Sequence, residues 1–186
     1  MIHAAHDAAT LLVQVKTWIQ ELLKQYRVSE FNELRTELKR VHITTLDLSH
    51  ISLVGAHLPG INLSMCNLSF ANFRNAHLAG AQFSRASLYR GDLFGANLRG
   101  AVMFDVAAEE SLLVNTDLTQ AHLVDANLRG ADLSYATMHQ VNMPGADLRG
   151  ANLTKATGYR AELPRTLVDE TTILSPRSTD FELAQI

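Results

Sequence analysis

From Leu46 to Lys155 the chain keeps a period of five residues without one insertion or deletion. No ordinary element repeats at that interval, since apolar residues recur near 3.6 along a helix and at 2 along a strand. The stretch ANLRGADLS, residues 126–134, shows the unit twice: a small residue, a polar one and a leucine, restarting five positions on. With the central large residue called position i, the frame runs Leu48, Leu53, Leu58, Leu63, Leu68, Phe73, Leu78, Phe83, Leu88, Leu93, Leu98, Met103, Ala108, Leu113 and on to Leu153, and only Ala108 is small. Position i−2 is mostly tiny, as at Ala71, Ala86, Ala126 and Ala151, and position i−1 is often Asp or Asn, as at Asp47, Asn67, Asp92 and Asn127.

A fixed short period marks a solenoid, in which each unit buries its apolar side only by stacking on its neighbours. Five residues are too few for a helical repeat. If each pentapeptide is one side of a coil, i−2 and i point inward and three residues face water and carry the turn. A small i−2 beside a large i gives an interdigitated core. Asp and Asn at i−1 suit the turn, because their short side chains bond nearby backbone N–H groups. The glycines fall at i+2, as at Gly80, Gly95, Gly100 and Gly130, and speak for corners rather than for a phosphate loop.

The ends differ. Leu11, Leu12, Val15, Trp18, Ile19, Leu22, Leu23 and Tyr26 fall at helical spacing, and Ser29 offers an N-cap to a second stripe of Phe31, Leu34, Leu38 and Val41. Residues 1–44 are therefore expected to form a helical hairpin whose apolar face covers the first coil. Regular repeats are expected over 46–155 within a shaft of 45–175. Leu163, Val168 and Ile173 keep the beat through a degenerate last coil, residues 156–175, before a tail at 176–186.

The run A-[D/N]-L-x-x, as in Ala126-Asn127-Leu128-Arg129-Gly130 and Ala146-Asp147-Leu148-Arg149-Gly150, resembles the pentapeptide-repeat family over residues 46–155, about sixty per cent of the chain. The segment VSEFNELRTELKRVHITTLDLSHISL is similar to the helical lead-in that many bacterial members place before the first repeat. The resemblance implies an all-β solenoid, a right-handed quadrilateral β-helix with four pentapeptides per coil, capped here by the N-terminal α-helical hairpin. It implies a twenty-residue coil, so the twenty-two pentapeptides of the frame make five and a half coils. At ~4.8 Å between neighbouring strands the shaft is roughly 26 Å long.

No catalytic constellation emerges, and no cofactor or metal site is expected. The carboxylates are scattered, no P-loop or Gly-x-Gly-x-x-Gly is present, and Cys66, the only cysteine, falls at the inward i−2 position, where a thiol is inert. One cysteine also forbids a disulfide framework and suits a reducing compartment. Gln14, Lys16 and Gln20 interrupt the apolar start, so neither a signal peptide nor a membrane span is expected, and the location read from the sequence is cytoplasmic. In coils of twenty, His57 stacks on His77 with Asn97 and Asp117 continuing the column; two ligands do not make a metal site. Arg90 stacks on Glu110 and Glu109 on Arg129 as exposed ion pairs, worth ~0–1 kcal/mol each.

The net charge of −3 argues against direct binding of nucleic acid or anionic membrane. The outward positions between residues 89 and 124 are unusually apolar, with Tyr89, Phe94, Phe104, Leu112 and Val114 joined by Val102 and Val124, clustered on two or three sides of the middle coils near the irregular VAAEE at 106–110. Such a patch points to a protein partner or to self-association, unless a local bulge folds some of these residues against the shaft. The first reading is thus a non-enzymatic binding or scaffold module. The resemblance supplies an alternative, a DNA-mimicking binder of a type II topoisomerase (gyrase) that gives quinolone tolerance. Charge weighs against it: a 26 Å mimic at one negative charge per ~1.7 Å would want roughly fifteen net negatives. Residues 46–155 hold nine acids and seven bases, a net of −2. The helical N-terminus also departs from gyrase-protecting members, which usually begin directly with repeats and dimerise through a C-terminal helix.

Overall fold

The computed structural model describes residues 17–40, 42, 44–158, 161 and 164–174. Backbone 17–24 is helical (α1), and α2 spans Val28–Arg40. Tyr26, with φ 59°, makes the reversal between them. Phe31 N–H bonds to Arg27 O, so the second helix starts before Ser29, which lies inside the first turn rather than capping it. Glu30 near the start and Lys39 and Arg40 at the end suit the helix dipole. Ile19, Leu22, Leu23 and Phe31 are buried and join the core of the shaft. Trp18 at 51 % and Tyr26 at 52 % exposure stand outside that face, and Leu34 is only half-buried. Leu11, Leu12, Val15 and Val41 lie outside the described residues.

The rest is the right-handed quadrilateral β-helix. Among the described residues the i−1 residues bridge in parallel to those twenty positions on, from Asp47 with Asn67 through Thr137 with Thr157, and again Asp147 with Leu167. Four pentapeptides therefore close one coil. Positions i−2 and i point inward throughout, and one continuous core runs from Leu48 to Ala156. Each corner is a tight turn in which the N–H of the next i−2 residue returns to the carbonyl of i, as Ala71 to Leu68 at 3.0 Å. The residue at i+2 holds a left-handed φ, whether it is Gly80 at 66° or Gln120 at 60°; that is the site where type II turns need a positive φ. The i−1 side chain braces the corner: Asn67 Oδ1 accepts the Ser69 N–H at 3.1 Å, and Asp132 Oδ1 that of Ser134 at 2.9 Å.

Two sequence expectations change here. Segment 106–110 is not a bulge, because Ala107 bridges both Ser87 and Asn127 in register. Val106 and Ala108 are both buried, so the pentapeptide places its larger side chain at i−2 and its smaller at i, the reverse of its neighbours. At the far end the beat slips by one residue. The strand β1, Asn152–Leu153, pairs with β2, Ile173–Leu174, in a register that sets Asn152 opposite Ile173, twenty-one residues on. Ile173 consequently faces outward at 53 % exposure, whereas Val168 packs partly on the core. The extra residue is taken up where Asp169 Oδ1 accepts the Thr171 N–H and hydroxyl at 3.0 and 2.6 Å. Leu163 lies outside the described residues, as does the tail.

Candidate interaction surfaces

Because a coil takes twenty residues, side chains sort by their place within it. The first side carries Leu48, Leu68, Leu88 and their successors inside; the second Leu53, Phe73 and Leu93; the third Leu58, Leu78 and Leu98; the fourth Leu63, Phe83 and Met103. The first and third sides are opposite, as are the second and fourth. On this frame the five residues singled out divide among three sides. Phe94, Leu112 and Val114 lie on the second side, Phe104 on the fourth, and Tyr89 on the first, next to its corner.

The two apolar sides are unlike. On the second side Leu112 is 44 % exposed, but it sits between Asp92 and Asp132 in its column. Phe94 is half-buried, with the Arg74 guanidinium 4.4 Å from its ring centroid and that guanidinium bound to Asp92 at 3.0 Å. The cation covers much of the apolar surface that Phe94 would offer. On the fourth side Phe104 is 41 % exposed, 6.0 Å from the His122 ring, with half-buried Val102 and Val124 on the same side. Its i+1 column continues through Pro144 to Pro164, two residues that the sequence reading did not pick out. The signal was present as an apolar i+1 residue at every twentieth position from 104 to 164.

At the corner after the first side, His50 stacks on Phe70 at 5.0 Å and Phe70 meets Tyr89 edge-on at 5.6 Å. Further along, Gly130 and Gly150 supply no side chain, and a shallow groove of about 440 Å³ opens among Tyr89, Glu110, Arg129, Arg149 and Asp169. Its charges are largely spoken for. Arg90 binds Glu110 at 2.7 Å as expected. The expected Glu109–Arg129 pair is not the one formed: Glu109 Oε1 accepts from Asn127 Nδ2 at 2.5 Å, and Arg129 leans toward Asp147 at 3.7 Å. Asp147 is already bound by Arg149 at 2.6 Å, and that guanidinium holds its carboxyl below the usual range against the opposing effect of burial. Asp169 is lowered chiefly by the Thr171 hydroxyl.

The remaining chemistry-bearing groups are dispersed. His57 and His77 stand 5.5 Å apart on the third side, and among the described residues no three His, Cys, Asp or Glu side chains gather where they could hold a metal. Burial pushes the Cys66 thiol up, away from reactivity. No helix among the described residues is long and apolar enough to cross a membrane. One buried group was not foreseen: Arg35 on α2 is fully buried, with Nη2 donating to Thr44 O at 2.9 Å and to Ser64 O at 2.6 Å. A charged residue inside an apolar stripe carries no sequence signal of burial, since Arg is almost never fully buried.

A family model described as pentapeptide repeats matches eight copies in this chain, over residues 66–103 and 111–150. The chain is a pentapeptide-repeat protein. Among solved structures, this pentapeptide-repeat protein is similar to a trypsin-treated form of QnrB1, a plasmid-mediated fluoroquinolone resistance protein. The identity is 18% and the TM-score 0.46, with 67% of this chain and 77% of that one covered. It is also similar to Rfr23 from the cyanobacterium Cyanothece 51142, at 29% identity and TM-score 0.36, covering 76% and 96%. A third similar structure is a pentapeptide-repeat protein of the Arabidopsis thaliana thylakoid lumen, at 30% identity and TM-score 0.24, covering 59% and 66%. No curated protein sequence matches this chain.

Proposed function

We propose that this chain is a non-enzymatic binding module acting in the cytoplasm, with residues 1–44 as a cap, 45–175 as the shaft and 176–186 as a tail. Pentapeptide-repeat proteins are generally structural or interaction modules rather than enzymes. The observation that carries the reading is the fourth-side ladder of Phe104, Val124 and Pro144, a run of uncharged side chains at one place in successive coils. It offers a protein partner a dry strip at fixed spacing. Of the five residues first singled out, Phe104 is the centre of this contact, while Tyr89, Phe94, Leu112 and Val114 belong to other surfaces.

The test is an affinity capture from the source cell's lysate with the native protein, a Phe104→Glu variant and a Leu112→Glu variant, each checked by circular dichroism. A partner held by the native protein and by Leu112→Glu, and lost by Phe104→Glu, supports the fourth side. Loss with Leu112→Glu alone moves the contact to the second side and refutes this assignment. Topoisomerase mimicry is less favoured, because the acids are tied to arginines along the shaft, as in Arg74–Asp92, Arg85–Asp105 and Arg99–Asp117. A supercoiling assay in which the protein protects gyrase from a quinolone would reverse that preference.

A further inference from the structure

The backbone of the shaft has a direction. In the regular coils the N–H groups of i and i+2 reach forward to carbonyls of the next coil, as Leu48 to Asn67 at 2.8 Å and His50 to Ser69 at 3.0 Å, whereas near the far end the Gly150 N–H goes to Asp169 Oδ1 at 3.2 Å. The N–H of i−1 reaches back, as Asn67 to Leu46 at 2.8 Å. The groups left facing backward on a first coil are therefore the complement of those left facing forward on a last coil. Uncovered, the two ends of two copies would fit each other as successive coils do.

The helix α2 stands where that fit would begin. Asn32 Oδ1 accepts the Asn62 N–H at 2.8 Å, and Arg35 Nη2 donates to Ser64 O at 2.6 Å. One coil on, the same two groups are answered by backbone: Gln82 N–H goes to Ile61 O, and Ser84 O accepts from Met65 N–H. Asn32 and Arg35, three residues apart on one helix face, thus take the place of the absent strand on the fourth side. Asn32 Nδ2 adds a bond to Gly60 O at 3.1 Å. Arg35 is held there against a cost, since its Nε and Nη1 are buried and unpartnered. Elsewhere on the first coil the N–H groups of Ser52 and His57 have no hydrogen-bond partner among the described residues. At the opposite end β2 has β1 as its one neighbour among the described residues, and Leu167, Ile173 and Leu174 are exposed.

We infer that α2 is a ladder stop, and that the edge it guards is a docking surface for the C-terminal coil of a second copy of this chain. The contact is heterologous, so it does not close, and its product is a head-to-tail row of shafts. The side-chain imitation of a strand by Asn32 and Arg35 is what keeps the row from starting.

The experiment uses the full chain carrying Phe31→Glu and Arg35→Glu, which place carboxylates at two fully buried positions and so expel the cap. Trypsin cleavage within α2 reports the release, circular dichroism the integrity of the shaft, and sedimentation velocity over a tenfold concentration range the mass. The native protein is expected to keep one mass. The variant is expected to climb through multiples of it, and to return to a single mass when Leu167→Lys and Ile173→Lys are added. Asn32→Ala alone, which leaves Phe31 in the core, is expected to show the same climb more weakly. A released cap with an unchanged mass overturns the inference, as does assembly that survives the two lysines. A cap still resistant to trypsin in the double variant overturns the part given to Arg35. If the double variant unfolds, Asn32→Ala decides, and a mass equal to that of the native protein throughout counts against the inference.

Discussion

Val106 and Ala108 offer a sharp test of how the core is filled. Both are buried, at 0% and 1% exposure, and they reverse the small-then-large order that most pentapeptides of the frame keep. If one inward volume is shared between i−2 and i, each single change is costly and the pair is not. Val106→Ala removes two methyl groups' worth of apolar burial, about 1.6 kcal/mol at ~0.8 kcal/mol per carbon, and up to about 1 kcal/mol more for the cavity left behind. Ala108→Leu forces three extra carbons beside Val106 and costs roughly 1–3 kcal/mol by overpacking. The double variant restores the ordinary Ala-x-Leu order and is expected within about 1 kcal/mol of the native protein. The coupling is then at least about 1.6 kcal/mol in favour of the pair. Urea unfolding followed by far-UV circular dichroism on all four proteins measures it. Single effects that simply add, to within about 0.5 kcal/mol, would refute the shared-volume argument.

Other outcomes follow from the corners and the charges. Gly80→Ala and Gly145→Ala should both lower stability by about 1–2 kcal/mol, because both sites have left-handed φ. At Gly145 the new Cβ would meet Asp125 Oδ1 whereas Gly80 has nothing within 4 Å, but that carboxylate is the free end of an exposed side chain and can turn away, so the two variants should lose comparable stability, as read by thermal unfolding. The Asp147 carboxyl is lowered in the folded chain, so its contribution is fully present above the ordinary carboxylate value of 3.8 and is lost as pH falls through the depressed one. Urea midpoints measured downward from pH 6 should therefore drop below about pH 4, and drop less in Asp147→Asn. The capture pair Phe104→Glu and Leu112→Glu separates the two apolar sides.

The period of five made the shaft legible, because no helix or strand competes with it and because i−2 and i are apolar almost without exception. The corners were legible for the same reason, through Gly80 and its equivalents and through Asn67 and Asp132 at i−1. Tyr89, Phe94, Phe104, Leu112 and Val114 are close in sequence, and it is their places within a twenty-residue coil that divide them among sides. That sorting also shows Pro144 and Pro164 falling in line with Phe104. VAAEE looked irregular because Ala108 was judged alone, whereas Val106 supplies the missing volume. The slip at Ile173 had no signature, since an isoleucine at the right interval serves equally as an inward or an outward residue on a last coil. Arg35 was hidden by its charge, and its partners, the carbonyls of Thr44 and Ser64, exist only once the first coil is closed.

Every assignment made to a surface, the fourth-side contact included, rests on side chains twenty residues apart sharing a face and those ten apart lying on opposite faces. Pyrene attached to paired cysteines in a Cys66→Ala background measures this directly, because an excimer forms only when two pyrenes touch. Gln82→Cys with Val102→Cys, bridged neighbours on the fourth side, should give strong excimer emission, and Gln82→Cys with Asp92→Cys, across the shaft, should give none. Excimer emission from the second pair, or its absence from the first, would contradict the four-sided coil and every surface drawn upon it.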